Sequence, residues 1–341
     1  MIKRILSLCL CLILLLSGCS YTQEPDKQSI SFFAMDTYME FTAYGEDAEP
    51  TLMSAREKIA DLELLWSVTG ENSDVYAVNH ADGQAIEVAY ETADILKFAL
   101  DMSERTNGAL DLTVYPILSA WGFTKEENRI PSKDEIKGLL SFVGYENVML
   151  NGNTVQLEEG MMLDLGAVGK GYAGDIAAGI LRENGITSAL LNLGGNVQTV
   201  GSRPDGSDWR IGLQDPNGEG KIGVIEVSDL AAVTSGAYER FFIGDDGNRY
   251  GHIIDPSTGY PVENGLLSIT VIAHDGKLCD ALSTSLFVMG LDKSVEYWRQ
   301  NQDFDMILIS DSNDIYLTGG ISERFTLDSD RSNMKVYVIS E

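Results

Sequence analysis

Asp280 and Thr284 stand four residues apart in a stretch, 277–289, whose apolar spacing is helical. That spacing puts a carboxylate and a hydroxyl on one helix face. Hard oxygens of this kind suit Mg²⁺, which takes one or two carboxylates and completes its shell with water and phosphate oxygens. The same two residues read equally as a helix-capping Asp beside a buried Thr. A second candidate is Gly166-Ala167-Val168-Gly169-Lys170-Gly171, with three glycines in six residues between the strand-like Leu163-Asp164-Leu165 and a helix. Such a turn lets backbone N–H groups approach a phosphate, and Lys170 adds a cation. Taken alone, a tight strand-to-helix turn with no ligand is the better reading of these residues, and the spacing is neither a Walker loop nor a dinucleotide fingerprint. Third, His252 precedes Asp255 by three positions in the Pro-bearing segment His252-Ile253-Ile254-Asp255-Pro256-Ser257-Thr258-Gly259. A carboxylate there can orient an imidazole for general-base work, although a lone His is more often structural. His80 and His274 lack such company and read as surface residues.

These groups need elements to hold them. Alternation over 30–44 predicts a strand interrupted at Met35-Asp36-Thr37. Leu52, Ala55, Ile59, Leu62 and Leu65 share one face of a helix over 47–65. A second amphipathic helix covers 91–106 and stops at Asn107-Gly108. Ser132-Lys133-Asp134-Glu135 is a capping box. Strand-like pieces at 146–150 and 154–157 precede the Gly-rich turn, and a helix from that turn runs to about Asn184. Strands follow at 188–193, 197–201, 209–213, 222–228 and 266–273, then helices over 277–289 and 293–300, with 305–310 as the last strand. The glycines in Asn192-Leu193-Gly194-Gly195-Asn196 and Thr234-Ser235-Gly236-Ala237-Tyr238 read as turns or pocket walls. Turns that join strand to strand make an α+β class with mostly antiparallel sheets and flanking helices. The tryptophans at 66, 121, 209 and 298 are too dispersed for a stacking stripe, so core packing is expected.

The N-terminus reads as an address. Lys3 and Arg4 precede an apolar run over 5–16, too short for a bilayer span and of the right length for a signal peptide. Leu16-Ser17-Gly18-Cys19 follows, a lipobox pattern from which acylation of Cys19 is expected, the alternative being an ordinary secretory signal with a chance Cys. The expected organisation is a signal over 1–18, a lipid-anchored polar tether over 19–29 and one catalytic unit over 30–341. With Cys9 and Cys11 in the leader and Cys19 acylated, Cys279 stands alone, so no disulfide framework exists. The 341 residues carry 24 Lys+Arg against 52 Asp+Glu, a net charge of −28. A surface that acidic repels nucleic acid, and any phosphate must be held by a local cation, a metal or backbone amides. The expected place is the outer side of the cell membrane, on a lipid anchor.

Taken together, Met35-Asp36-Thr37, Ala109-Leu110-Asp111, the run from Asp164 to Tyr172-Ala173 and Asp175, Asn192-Leu193-Gly194-Gly195-Asn196, Ser235-Gly236 with Tyr238, the His252–Gly259 block and Asp280 with Ser283-Thr284 resemble the ApbE family of FAD:protein FMN transferases. The blocks occur in family order from about residue 30 to 290. The resemblance implies a T-fold-related architecture. It also implies that Met35, Ala109, Leu110, Asp111, Asp164, Lys170 and Ile254 line an FAD site, with Thr69 where many relatives carry an aromatic residue. The Ala167 carbonyl, Asp280 and Thr284 match magnesium ligands, and Ser283 stands where Asp is common. Leu110 replaces a usual Phe.

By the same resemblance, a hydroxyl of an acceptor flavoprotein attacks the FMN-side phosphorus of FAD and AMP leaves. His252 or Asp164 accepts the proton, and the acceptor is a subunit of an Rnf- or Nqr-type membrane redox complex or a related FMN-binding-domain protein. Two other readings stay open: an FAD pyrophosphatase giving FMN and AMP, and a non-catalytic flavin-binding lipoprotein.

Overall fold

The computed structural model describes residues 26–124 and 127–340. The expected leader and Cys19 lie outside the described residues. Nine strands make a central sheet, numbered here β1 (Lys27–Ala34), β2 (Thr37–Tyr44), β3 (Ala189–Leu193), β4 (Asn196–Val200), β5 (Ala231–Gly236), β6 (Leu266–Ala273), β7 (Asp305–Ser310), β8 (Ile315–Thr318) and β9 (Val336–Ile339). They lie side by side in that order, and every pair is antiparallel except β8 and β9. The α+β class is the observed one. Short turns join β1–β2, β3–β4 and β7–β8, since antiparallel strands need only a hairpin, while longer excursions that carry helices or the smaller strands join the other neighbours.

Helices α1 (Ala48–Trp66), α2 (Tyr90–Arg105), α3 (Gly169–Glu183) and α4 (Gly276–Met289) are the main helical elements, and α1, α3 and α4 cover one face of the sheet. A small sheet of Trp209–Gln214, Lys221–Val227 and Phe325–Leu327 covers the other. Period-two alternation divides the central strands between two cores. Val271, Met306 and Leu308 enter the helix-side core, while Ile272, Ile307 and Ile309 enter the core beneath the small sheet. Both faces of β6 and β7 are therefore buried, which fits their rich content of Ile, Leu and Val. A third cluster, Ile117, Trp121, Phe123, Ile136 and Ile254, sits under the loops. All four tryptophans are core residues, each at most 7% exposed.

Several boundaries differ from the sequence expectation. The first strand starts at Lys27, inside the stretch read as tether, because its register with β2 pairs Lys27 with Tyr44. The strand over 305–310 is not the last, since β8, Phe325–Leu327 and β9 follow it. Ala231–Gly236, whose end was read as a Gly turn, is a full strand of the sheet. Leu163-Asp164-Leu165 is irregular rather than a strand, held by the Asp164 N–H donating to Leu112 O at 2.9 Å.

Candidate active site

At one end of the sheet, loops from seven parts of the chain enclose a cleft of about 1200 Å³, larger than the ~300–1000 Å³ of most small-molecule sites. Met35 and Asp36 form the two-residue hairpin between β1 and β2, both with positive φ (50° and 58°). Non-glycine residues resist that conformation. Glu63 of α1 holds it by accepting the Met35 N–H at 2.7 Å, and Arg240 lies 3.3 Å from the Asp36 carboxylate. The neighbouring turn at Gly194 (φ 66°) packs so closely on Thr37 that a Cβ there would overlap the Thr37 side chain. Two turns locked tip to tip thus set the Met35 side chain at the rim.

Helices α3 and α4 bring in the polar groups. Gly171 N–H, which an unbroken helix would direct to the Ala167 carbonyl, donates to Asp280 Oδ2 at 2.8 Å. The Ala167 carbonyl therefore stays at the open end of α3, among the cleft-lining residues with Asp280 and Thr284. Asp280 is in the fifth position of α4, so it does not cap its own helix. Six carboxylates (Asp36, Glu63, Asp111, Asp164, Glu239 and Asp280) line the cleft against two fixed cations, Lys170 and Arg240. Glu239 is open to the solvent of the cleft yet crowded by its walls. Lost hydration pushes its carboxyl up to about 7 against the pull of Lys170, with Asp280 adding to the rise. Burial likewise raises the Asp164 carboxyl, opposed by the Gly166 N–H, Lys170 and Arg240.

His252 lines the same space, and enclosure pulls its imidazole down to about 4. Its Nδ1 is 3.1 Å from the Arg240 carbonyl. A carbonyl only accepts, so Nδ1 carries the hydrogen and Nε2 presents its lone pair. Asp255 does not orient this ring: its carboxylate accepts the Ser257 N–H and hydroxyl at 2.9 and 2.7 Å. Two buried donors at the cleft, Trp66 Nε1 and Asn196 Nδ2, have no protein partner. Buried polar groups in folded proteins are normally paired, so both are available to a ligand.

The structure brings Met35, Thr69, Ala109, Leu110, Asp111, Asp164, Ala167, Lys170, His252, Ile254, Asp280 and Thr284 to one cleft. Ser283 is the exception. It is fully buried, donates its hydroxyl to the Asp280 carbonyl at 3.0 Å, and accepts from Ser235 Oγ at 2.9 Å, so it stands behind the cleft wall. Asp111 faces inward at 8% exposure, and its oxygens accept from Thr113 and from the Tyr145 N–H, which knits the 109–114 loop together. The amide cradle expected over 166–171 is largely consumed by the turn. Gly166 N–H goes to Asp164, Val168 and Gly169 to the Leu165 carbonyl, and Gly171 to Asp280. Glu63, Trp66, Glu239 and Arg240 were not legible as site residues, because helix patterning and the charge of an acidic chain gave them no separate signal.

The family model described as the ApbE family matches residues 35–308. The chain belongs to the ApbE family. Among ApbE relatives, the FAD:protein FMN transferase of Klebsiella pneumoniae (strain 342) is 35% identical over 274 residues, 78% of this chain and 84% of its own. That of Treponema pallidum (strain Nichols) is 30% identical and spans 92% and 93% of the two chains. The ApbE protein of Thermotoga maritima superposes with a TM-score of 0.83 at 34% identity, covering 88% of this chain and 99% of that one. The flavin transferase ApbE of Vibrio cholerae gives a TM-score of 0.77 at 26% identity, with 91% and 99% covered.

Proposed function

We propose that this chain transfers the FMN moiety of FAD to a Thr or Ser hydroxyl of an acceptor flavoprotein, releasing AMP. The observation that carries this reading is the meeting of Met35, Lys170, His252, Asp280 and Thr284 in one cleft, within a family whose named relatives are FAD:protein FMN transferases. A pyrophosphate entering among six carboxylates and two cations needs further positive charge. Among the described residues no group of three or more His, Cys, Asp or Glu side chains could hold a metal. The donors fit Mg²⁺ of the kind that keeps water and substrate oxygens: the Asp280 carboxylate, the Thr284 hydroxyl and the Ala167 carbonyl. When bound, Mg²⁺ supplies charge neutralisation and polarises the phosphoryl group.

The chain's own groups do the rest. Lys170 and Arg240 draw the phosphates in, and Met35, Leu110 and Ile254 offer apolar surface to the flavin side. The acceptor hydroxyl oxygen forms a bond to the FMN-side phosphorus while the bond to the bridging oxygen breaks, and AMP leaves with that oxygen and its electron pair. His252 Nε2 takes the hydroxyl proton. Burial keeps the ring neutral at pH 7, so Nε2 has a free lone pair for that proton, though as a weaker base than a free imidazole. Asp164, whose carboxyl burial raises and whose Oδ1 accepts the Gly166 N–H at 2.8 Å, is the other proton acceptor in the cleft. The product is a phosphoester-linked FMN.

The lipobox supports acylation at Cys19 and an extracytoplasmic place on the membrane, where an acceptor subunit of an Rnf- or Nqr-type redox complex shares the same layer. Among the described residues no helix is long and apolar enough to cross a membrane. Incubation with FAD and Mg²⁺, with and without an acceptor domain, tests the reading. Covalently fluorescent acceptor plus AMP is expected. Free FMN in both tubes would make the chain a pyrophosphatase, and intact FAD in both would make it a binder.

A further inference from the structure

Helix α4 carries Asp280 and Thr284, yet it does not cap itself. Asp275 occupies its N-cap position without a side-chain capping bond. The first two N–H groups of the helix are taken by another one: Asp175 of α3 accepts Gly276 N–H at 2.6 Å and Lys277 N–H at 3.0 Å. The same carboxylate accepts Gln198 Nε2 at 2.9 Å, so strand β4 enters the knot. In return Asp280 of α4 accepts the Gly171 N–H near the start of α3 at 2.8 Å. Each helix therefore supplies the carboxylate that caps the other's N-terminus. The crossing has no slack. A Cβ at Gly276 would lie 2.8 Å from Gly171 O and 3.0 Å from Asp175 Oδ1, and one at Gly171 would lie 2.7 Å from the Asp280 Cβ.

We infer that Asp175 is a positioning residue for the metal-ligand set: by capping α4 from α3 it holds Asp280 and Thr284 in register with the Ala167 carbonyl and Lys170. The inference rests on the proposed Mg²⁺ reading of those residues. Three physical points support it. Charge-assisted bonds from a carboxylate to helix N-terminal amides are roughly twice as strong as neutral ones. Asp175 is about one turn along α3 from Gly171, so its two contacts fix both the rotation and the axial position of α4. Asp280 follows the capped Gly276 by about one turn, too short a lever for helix bending to absorb a slip. Asp175 itself does not line the cleft, so it acts on the site through α4.

Calorimetric titration of the full chain in detergent with Mg²⁺ tests this, with ADP present as a pyrophosphate that has no flavin to transfer. Outer-shell partners of metal ligands typically cost 10–100-fold in metal affinity when removed, so Asp175→Ala should raise the Mg²⁺ Kd by about tenfold or more. Asp175→Asn, which keeps one acceptor oxygen and the residue's shape, should show a smaller rise in the same direction. FAD affinity without metal, read by flavin fluorescence, should stay near wild type in both. An unchanged Mg²⁺ Kd in a folded Asp175→Asn chain would overturn the inference, even if its melting temperature falls. Equal losses in Mg²⁺ and FAD affinity would overturn it too, by showing a general collapse of the cleft. A wild-type chain that binds Mg²⁺ with ADP but transfers no FMN would sink the proposed activity while leaving this titration to decide the positioning role.

Discussion

Replacing Gly171 with Ala opposes two effects whose sizes differ. Inside a helix, Gly→Ala is worth about 1 kcal/mol in favour of folding. At this crossing, however, the added Cβ would lie 2.6 Å from the Gly276 carbonyl carbon and 2.7 Å from the Asp280 Cβ. Most of that obstacle is backbone, which cannot rotate away as a side chain does. Overpacking of this kind costs roughly 1–3 kcal/mol, and a backbone obstacle belongs at the upper end. The net expectation is about 2 kcal/mol of destabilisation, or a fall of about 4 °C in Tm for a domain of this size. Gly179 in the same helix has nothing within 4 Å of its would-be Cβ. There the propensity gain stands alone, and Gly179→Ala should stabilise by about 0.5–1 kcal/mol. Urea denaturation of both variants beside wild type measures the pair. If Gly171→Ala were as stable as Gly179→Ala, the close helix crossing would be wrong.

Asp280→Ala should abolish FMN transfer and Thr284→Ala should reduce it less, since one removes a charge and the other a neutral oxygen; full wild-type activity in EDTA would remove the magnesium argument. His252→Ala should lower kcat by about 10²–10⁴-fold, the usual worth of a general base, with FAD binding retained; a loss under threefold would move the base elsewhere. An imidazole at about 4 in the fold and near 6.5 when unfolded protonates first in the unfolded chain. His252 therefore subtracts stability as pH falls from about 6.5 through about 4, and His252→Gln should flatten the Tm profile across that window. A profile as steep as wild type would contradict the enclosed neutral ring. Cys19→Ser should release the chain from the membrane fraction without changing the activity of the purified protein, and firm retention with the leader cleaved elsewhere would refute lipid anchoring.

Patterning alone determined much of this protein. Helices α1, α2 and α4, the capping box at Ser132 (whose Oγ does accept the Glu135 N–H at 3.2 Å) and most strands follow from local periodicity, because an apolar face must find a core whatever its partner. The motif residues also announced themselves, since their types and order survive without any fold. Tertiary structure alone decided the rest. That Asp280 caps α3 at the cleft rather than its own helix depends on α3 crossing at Gly171, a contact between residues more than a hundred positions apart. Of two residues in one short motif, Asp280 lines the cleft while Ser283 is buried against Ser235 of β5. His252 is set by the Arg240 carbonyl rather than by the Asp three residues away, because Asp255 finds its partners within its own turn. The glycines of 166–171 spend their amides on the turn itself, a choice that composition cannot reveal. Asp175 shows in sequence only as the end of a motif run, with nothing to say what it holds. Only the packing of α3 against α4 turns it into the cap of another helix.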